Sequence, residues 1–341
     1  MTTNPRAAPP RGGTAAMGVS ETSDAGKVVD APFGHALVDI ASKRAEVLGL
    51  SADLARYTDM TPFAERYPDR FYNVGMAEQN LICIASGLAR SGFVSVAATY
   101  AVFATRRAYD FIAIQCALGR MNVKIVAGLP GLTTGYGATH QGIDDLAHMR
   151  VMPNMVVLDP CDAIDMEQAT YAALEYDGPV YLRLLRGAVP VVLDDNSPRF
   201  EIGRAALLRE GEDVGIVASG ILVGRALQAA DLLAERGISA AVLKASSIKP
   251  FDQEAVLKLA ASTGALITAE NHSVVGGLYS ATAETLVRSR VAVPVEAVAV
   301  GDEFGMCGSL PFLAERHGIS TRHVVAAAER AIALKHRGAR S

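Results

Sequence analysis

Residues 70–97 read RFYNVGMAEQNLICIASGLARSGFVSVA. A short run of strand formers, 70–74, is followed by a stretch, 76–90, in which Leu81, Ile82, Ala85, Leu88 and Ala89 recur with the period of one buried helix face. Gly92 supplies the stop, and 93–97 is apolar and short again. Strand, helix and strand in so few residues make a βαβ unit, which requires the two strands to be parallel and the sheet between them to be covered.

Working outward, further strands are expected at 46–50, 123–127, 155–159 and 180–184. Asp162 stands where it caps a helix running to Glu175, with Asp165 three residues on as a short stand-in for the usual glutamate. Residues 187–200, GAVPVVLDDNSPRF, hold two prolines and a polar cluster with no period, so the pattern breaks there. It resumes with strands at 214–218, 240–243, 265–269 and 295–300 and helices near 221–236, 252–262, 277–289 and 322–335. The expected fold class is therefore α/β, as two α/β sandwich domains with mainly parallel sheets. The divisions are a disordered tail over 1–30, a first domain over 31–187, a linker over 188–200 and a second domain over 201–341. The tail is rich in Pro, Gly, Ala, Ser and Thr; Arg6 and Arg11 before the first acid, Glu21, leave a transit peptide as the other reading.

The chain has 341 residues, 50% of them hydrophobic, enough for two cores. With 32 basic and 36 acidic side chains the net charge is -4, which excludes a binder that holds nucleic acid or a membrane surface by charge. No apolar run is long enough to cross a bilayer. Cys83, Cys116, Cys161 and Cys307 stand far apart with no Cys-x-x-Cys or Cys/His grouping, against a zinc site or a disulfide framework and in keeping with a reducing cytoplasm. No H-E-x-x-H group or G-x-S-x-G elbow occurs, so a metal held by this chain and a serine nucleophile are both disfavoured.

In open parallel sheets ligands sit beyond the carboxyl ends of the strands. Three loops there are unusual. Glu78 falls in the first turn of its helix, either complementing the helix dipole or serving a site. Tyr100 and Phe103, three residues apart after the 93–97 strand, share one face of a helical turn, as core packing or as a pocket wall. The loop GLPGLTTGYGATHQG, residues 128–142, follows the 123–127 strand, lacks the Gly-Lys-Ser/Thr ending of a nucleotide loop, and carries His140 between Thr139 and Gln141. Acid, aromatic pair and histidine converge on a pocket for an aromatic, ionisable ligand.

The run FYNVGMAEQNLICIASGLARSGFVSVAATYAVFATRRAYD, then GYGATHQGIDDLAHMRVMPNMVVLDPCD and the strand-end motif Ser51-Ala52-Asp53-Leu54, resembles the pyrimidine-binding domain of the transketolase family. Lys249-Pro250, Glu270-Asn271-His272 and Gly276-Gly277 resemble that family's C-terminal domain. The resemblance implies thiamine diphosphate as cofactor, with Glu78 hydrogen-bonded to a ring nitrogen of its aminopyrimidine as the proton relay and Tyr100 and Phe103 stacked on that ring. It also implies His140 against the donor's oxygens as a catalytic residue, and Arg186 on substrate phosphate with Ser51 in the same substrate set.

Departures carry meaning too. The family's Gly-Asp-Gly motif, which holds Mg2+ and the diphosphate in an N-terminal domain, does not occur, so the chain resembles the C-terminal subunit of a split transketolase whose metal ligands lie on an N-terminal partner, as a dimer of heterodimers acting on sugar phosphates. Tyr136 replaces the family acid four residues before the histidine, and Gly128 stands where a phosphate-binding histidine is expected; a branched or differently phosphorylated ketose such as apulose 4-phosphate is then an alternative donor. The beta subunit of a 2-oxoacid dehydrogenase, which shares the two-domain plan, is the other enzyme class, and a non-catalytic subunit is the third.

Overall fold

The computed structural model describes residues 27–194 and 196–338. Its strands are β1 (Val28–Asp30), β2 (Val47–Ser51), β3 (Phe71–Asn73), β4 (Val94–Tyr100), β5 (Val123–Gly128), β6 (Val156–Leu158), β7 (Val180–Leu184), β8 (Ala188–Pro190), β9 (Ala206–Arg209), β10 (Val214–Ala218), β11 (Ala240–Lys244), β12 (Ser247–Lys249), β13 (Leu266–Ser273) and β14 (Val295–Val300). A seven-stranded sheet runs β12-β6-β7-β5-β4-β2-β3, parallel except for β12, and a five-stranded sheet runs β14-β13-β10-β11-β9, parallel except for β9.

Strand β4 is buried along its whole length, as a strand covered on both faces must be. Alternate side chains feed two layers. Ala97 packs with Leu81, Ile82 and Ala85 of the helix Glu78–Arg90 on one side. Val96 and Ala98 pack with Phe33 and Leu37 of the helix Pro32–Lys43 and with Met166 and Ala169 of the helix Ala163–Glu175 on the other. The second sheet repeats the plan: Val217 and Leu243 meet Val256 and Leu259 of the helix Gln253–Thr263, while Ile216 and Val242 meet Leu222 and Ala226 of Leu222–Ala234 and Val324 and Ala328 of Thr321–Gly338.

The expected fold class holds, and strands β7, β10 and β14 keep their expected ends. Four short strands escaped the sequence. Most of the expected tail, residues 1–26, lies outside the described residues. Val28–Asp30 and Ala188–Pro190, assigned to the tail and the linker, pair instead as antiparallel strands, because the β-branched Val28, Val29 and Val189 suit a ladder and Val189 is fully buried there. Strand β12 leaves the second domain and pairs antiparallel with β6, at the edge of the first sheet. Asp162 caps its helix, its side chain accepting from the Asp165 N–H at 2.7 Å. Asp165 does not return the bond: its carboxylate takes the Cys161 N–H and the Ser246 hydroxyl and pairs with Lys244 of β11.

The domains are joined by polar groups as well as by β12. Arg183 of β7, fully buried, donates to Asp145, to Asp159 at 3.4 Å and to the backbone oxygen of Asn271 in β13. The Tyr181 hydroxyl donates to Asp145 at 2.7 Å and the Ser219 hydroxyl to Asp159 at 2.8 Å. Burial would push the Asp145 carboxyl up, but Arg183 overrides it and holds the group below its ordinary range. Among the described residues no helix is long and apolar enough to cross a membrane, and all four cysteines are unpaired.

Glu270, next to Asn271 on β13, is buried and accepts the Leu278 and Tyr279 N–H groups at 2.7 and 2.8 Å, capping the helix Leu278–Arg288. Burial pushes its pKa from 4.5 to about 7 against the pull of those two donors. A carboxyl raised on folding contributes stability that is complete below its unfolded pKa and is lost as pH rises through its folded pKa, here from 4.5 to about 7. Glu270→Gln removes this term: the fall in melting temperature between pH ~5 and ~7.5 is expected to shrink by on the order of a few degrees relative to the parent. Equal pH responses in scanning calorimetry would contradict the assignment.

Candidate active site

Glu78 opens the helix Glu78–Arg90 beyond the end of β3. Complementing a helix dipole does not require burial, yet Glu78 is only 3% exposed and accepts a hydrogen bond from Arg107 Nη1 at 3.1 Å. Arg107, at the end of the helix Ala101–Arg107, lies with its guanidinium 4.0 Å from the centroid of the Phe103 ring, so acid, cation and aromatic form one unit. Arg107 went unremarked in the sequence; its spacing of four from Phe103 on a helix is the signal that places the two side by side.

Tyr100 is the last residue of β4 and Phe103 sits one turn into the helix that begins there, which brings their rings to 5.7 Å. The half-buried His140 stands edge-on to three rings at once, 6.1 Å from Tyr100, 5.4 Å from Phe103 and 5.6 Å from Tyr136. Its Nδ1 is 2.9 Å from the Thr139 hydroxyl, which leaves Nε2 as the ring nitrogen open to a ligand. Gly128 ends β5 directly against this group: a Cβ there would lie 3.2 Å from Tyr100 Cδ1, so the missing side chain is what lets Tyr100 settle over the strand end.

Arg186, two residues past the end of β7, is buried at 6% exposure, and among the described residues its Nε and Nη2 have no hydrogen-bond partner. Buried guanidinium donors without acceptors are costly, and an anion from outside is the partner that relieves them. The neighbouring Asp59 is already engaged, accepting the Gly187 N–H at 2.9 Å, and burial pushes it up to about 6 against the pull of that bond and of Arg186. The Tyr100 hydroxyl is also pushed up by burial, with Arg186 again opposing.

Ser51 does not join the group as expected. It is fully buried at the end of β2 and its hydroxyl accepts the Leu54 N–H at 3.0 Å, bracing the following turn. His272, a family-matching residue, is a structural histidine: burial and the Arg183 charge press it down to about 4, and its nitrogens meet Ser273 O and the Ala147 N–H. The remaining five, Glu78, Tyr100, Phe103, His140 and Arg186, gather beyond the carboxyl ends of the central strands. A buried carboxylate beside aromatic faces fits a planar heterocycle with a basic nitrogen, and the unpartnered guanidinium fits an anion.

Two family models match the chain: transketolase, pyrimidine binding domain, over residues 28–191, and transketolase, C-terminal domain, over residues 203–324. A transketolase family protein of Sinorhizobium fredii is 51% identical over 298 residues, 87% of this chain and 86% of that protein. The 6-deoxy-6-sulfo-D-fructose transketolase subunit of a Clostridium species is 42% identical over 86% of this chain and 90% of its own length. Among solved structures, a split gene transketolase described as an inactive beta4 tetramer superposes with a TM-score of 0.82 at 45% identity, covering 89% of this chain and 98% of that one. The chain belongs to the transketolase family. Its two matched regions correspond to the pyrimidine-binding and C-terminal domains of that family.

Proposed function

We propose that the chain is the C-terminal subunit of a cytoplasmic split transketolase, which moves a two-carbon ketol unit from a ketose phosphate to an aldose and is active only with an N-terminal subunit. The observation that carries this is the convergence of buried Glu78, linked through Arg107 to Phe103, with Tyr100 and His140 at the carboxyl ends of the first sheet's strands. Near end-to-end matches to a transketolase subunit and to a split-gene chain support a separate partner. Four unpaired cysteines fit a reducing compartment.

Bound thiamine diphosphate supplies a nucleophilic carbon able to cleave the bond beside a ketose carbonyl. Glu78 would hold a proton at a ring nitrogen of its aminopyrimidine, Tyr100 and Phe103 would stack on that ring, and Mg2+ with the diphosphate would rest on the partner, in a dimer of heterodimers. His140 Nε2 would bind and orient the donor's oxygens, and the domain faces around it would exclude water. Arg186 would pair with the terminal anion of the sugar; a phosphate and the sulfonate carried by the substrate named for the clostridial relative suit the same planar fork. Tyr136 edge-on to His140, where the family acid is expected, favours a second donor class: a branched or unusually substituted ketose such as apulose 4-phosphate, which loses less than a linear sugar by meeting a ring instead of a carboxylate. The edge of a 2-oxoacid dehydrogenase beta subunit over this assignment would have to appear as decarboxylation of a 2-oxoacid by the assembled pair.

Capture of the native partner with the tagged chain, followed by assay of the pair, tests the proposal. In that pair Glu78→Gln is expected to keep cofactor binding and lose turnover by about a hundredfold to ten-thousandfold, the range of general acid-base effects. Turnover within about threefold of the parent at saturating cofactor would remove Glu78 from proton transfer. Arg186→Ala should raise the Michaelis constant for an anionic donor by on the order of tenfold to a hundredfold, as loss of a charged hydrogen bond predicts, and leave an uncharged analogue nearly unaffected. Equal losses for both would take Arg186 out of the anion site.

A further inference from the structure

The loop that carries His140 has almost no secondary structure of its own, and the second domain holds it at both ends and in the middle. At its start, Asn271 of β13 accepts the Leu132 N–H at 2.9 Å and its Nδ2 reaches the Pro130 oxygen at 3.4 Å. Gly131 makes this possible: its φ is 58°, and a Cβ there would stand 2.2 Å from the Asn271 oxygen. At its end, Ser273 of the same strand donates its N–H to the Ile143 oxygen at 2.8 Å.

The middle is held by a loop after β14. Gln141, the residue after His140, is 1% exposed and donates Nε2 to the Thr134 oxygen at 2.9 Å within its own loop and to the Met306 oxygen at 3.0 Å in the second domain. Tyr136 bridges Cys307, and the Gly308 N–H points at the Gly135 oxygen at 3.4 Å. Gly305 lies so near the Gln141 amide that a Cβ would stand 1.9 Å from Oε1. The holding loop is itself braced, since Glu303 pairs with Arg316 at 3.2 Å and with His317 at 3.0 Å.

We propose that the second domain is a clasp that sets the position of His140, with Gln141 as the positioning residue that carries the coupling. The inference rests on the placing of His140 against the donor in the proposed function. Loops free of such ties move readily, and displacement of a substrate-orienting group by about 1 Å is worth on the order of a hundredfold in rate. Gln141 spends both amide hydrogens on carbonyls of two different domains, which marks it as a tie between them. Cofactor contacts lie on Glu78, Tyr100 and Phe103, outside the clasped loop, so loosening the clasp should touch donor binding and spare the cofactor.

Two variants approach the tie from opposite sides: Gln141→Leu removes both hydrogen bonds at similar volume, and Gly305→Ala crowds the same amide from the second domain. Hydrogen exchange of the full chain is expected to speed up at least about fivefold in peptides spanning 133–141 and 304–308 while the strands of both sheets keep their protection. In the complex with the captured partner, the donor Michaelis constant should rise on the order of tenfold, with acceptor constant and thiamine diphosphate affinity within about twofold of the parent. Gly305→Ala keeps the test intact if Gln141→Leu fails to fold. Unchanged exchange in both loops, or donor, acceptor and cofactor terms that weaken together, overturns the clasp. His140→Ala separates the two ideas: a donor constant that ignores His140→Ala removes the assigned role of the histidine, whereas a donor constant that responds to His140→Ala and ignores both clasp variants removes the clasp alone.

Discussion

The buried Arg183 guanidinium is the interaction on which both the domain arrangement and the site depend. It stands on β7 of the first sheet, satisfied by Asp145 and Asp159 from the same domain and by the Asn271 oxygen from the other. A buried charge left alone is costly by about 3–5 kcal/mol, so each acceptor is held where Arg183 needs it. Asn271 thereby arrives at the height of the glycine-rich loop, where its side chain takes up the loop's backbone groups. One arginine in the joint thus fixes, through one asparagine, the start of the loop that carries His140.

Desolvation sorts the polar groups around the joint by what surrounds them. Asp145, with Arg183 and the Tyr181 hydroxyl on it, is held in its ionised form; Asp159 and Glu270, with weaker compensation, are pushed up by burial. His272 is kept neutral, able to donate from one nitrogen and accept at the other. Arg186 differs from all of them, because it lies in a comparably dry place with two donors unanswered. The joint thus holds satisfied polar groups, whereas the unsatisfied one lies beyond the carboxyl end of β7, where the proposed anion site is.

The longer elements were legible in the sequence because a helix face repeats every third to fourth residue and a strand covered on both faces reads as a short, mostly apolar run. The helix Glu78–Arg90 and strands β7, β10 and β14 are of that kind. Strand β12, with two polar residues among its three, carries no such pattern, and its pairing with β6 depends on a chain reversal that only the assembled domains define. Motif and family likeness named Glu78 and His140 as candidates, and the structure places both at the carboxyl ends of the first sheet's strands. Ser51, a serine at a strand end, takes up the backbone of the following turn, a use that the sequence does not distinguish from a ligand role. Arg107 and the ties of Gln141 to Met306 and of Asn271 to Leu132 were hidden for a different reason: they join positions whose distance along the chain leaves no pattern, or act through backbone carbonyls that any residue type offers.

The central claim is that this chain holds half of a cofactor site. Aromatic contacts worth about 0.5–1.5 kcal/mol each do not offset an association cost of several kcal/mol when the charged diphosphate finds no ligands. Adding the N-terminal partner should bury the cofactor between subunits and strengthen their association in return. Calorimetric titration with thiamine diphosphate and Mg2+, of the chain alone and of the chain with its captured partner, tests this most directly. The account predicts no resolvable heat for the chain alone and roughly micromolar binding for the pair; roughly micromolar binding by the chain alone would contradict it.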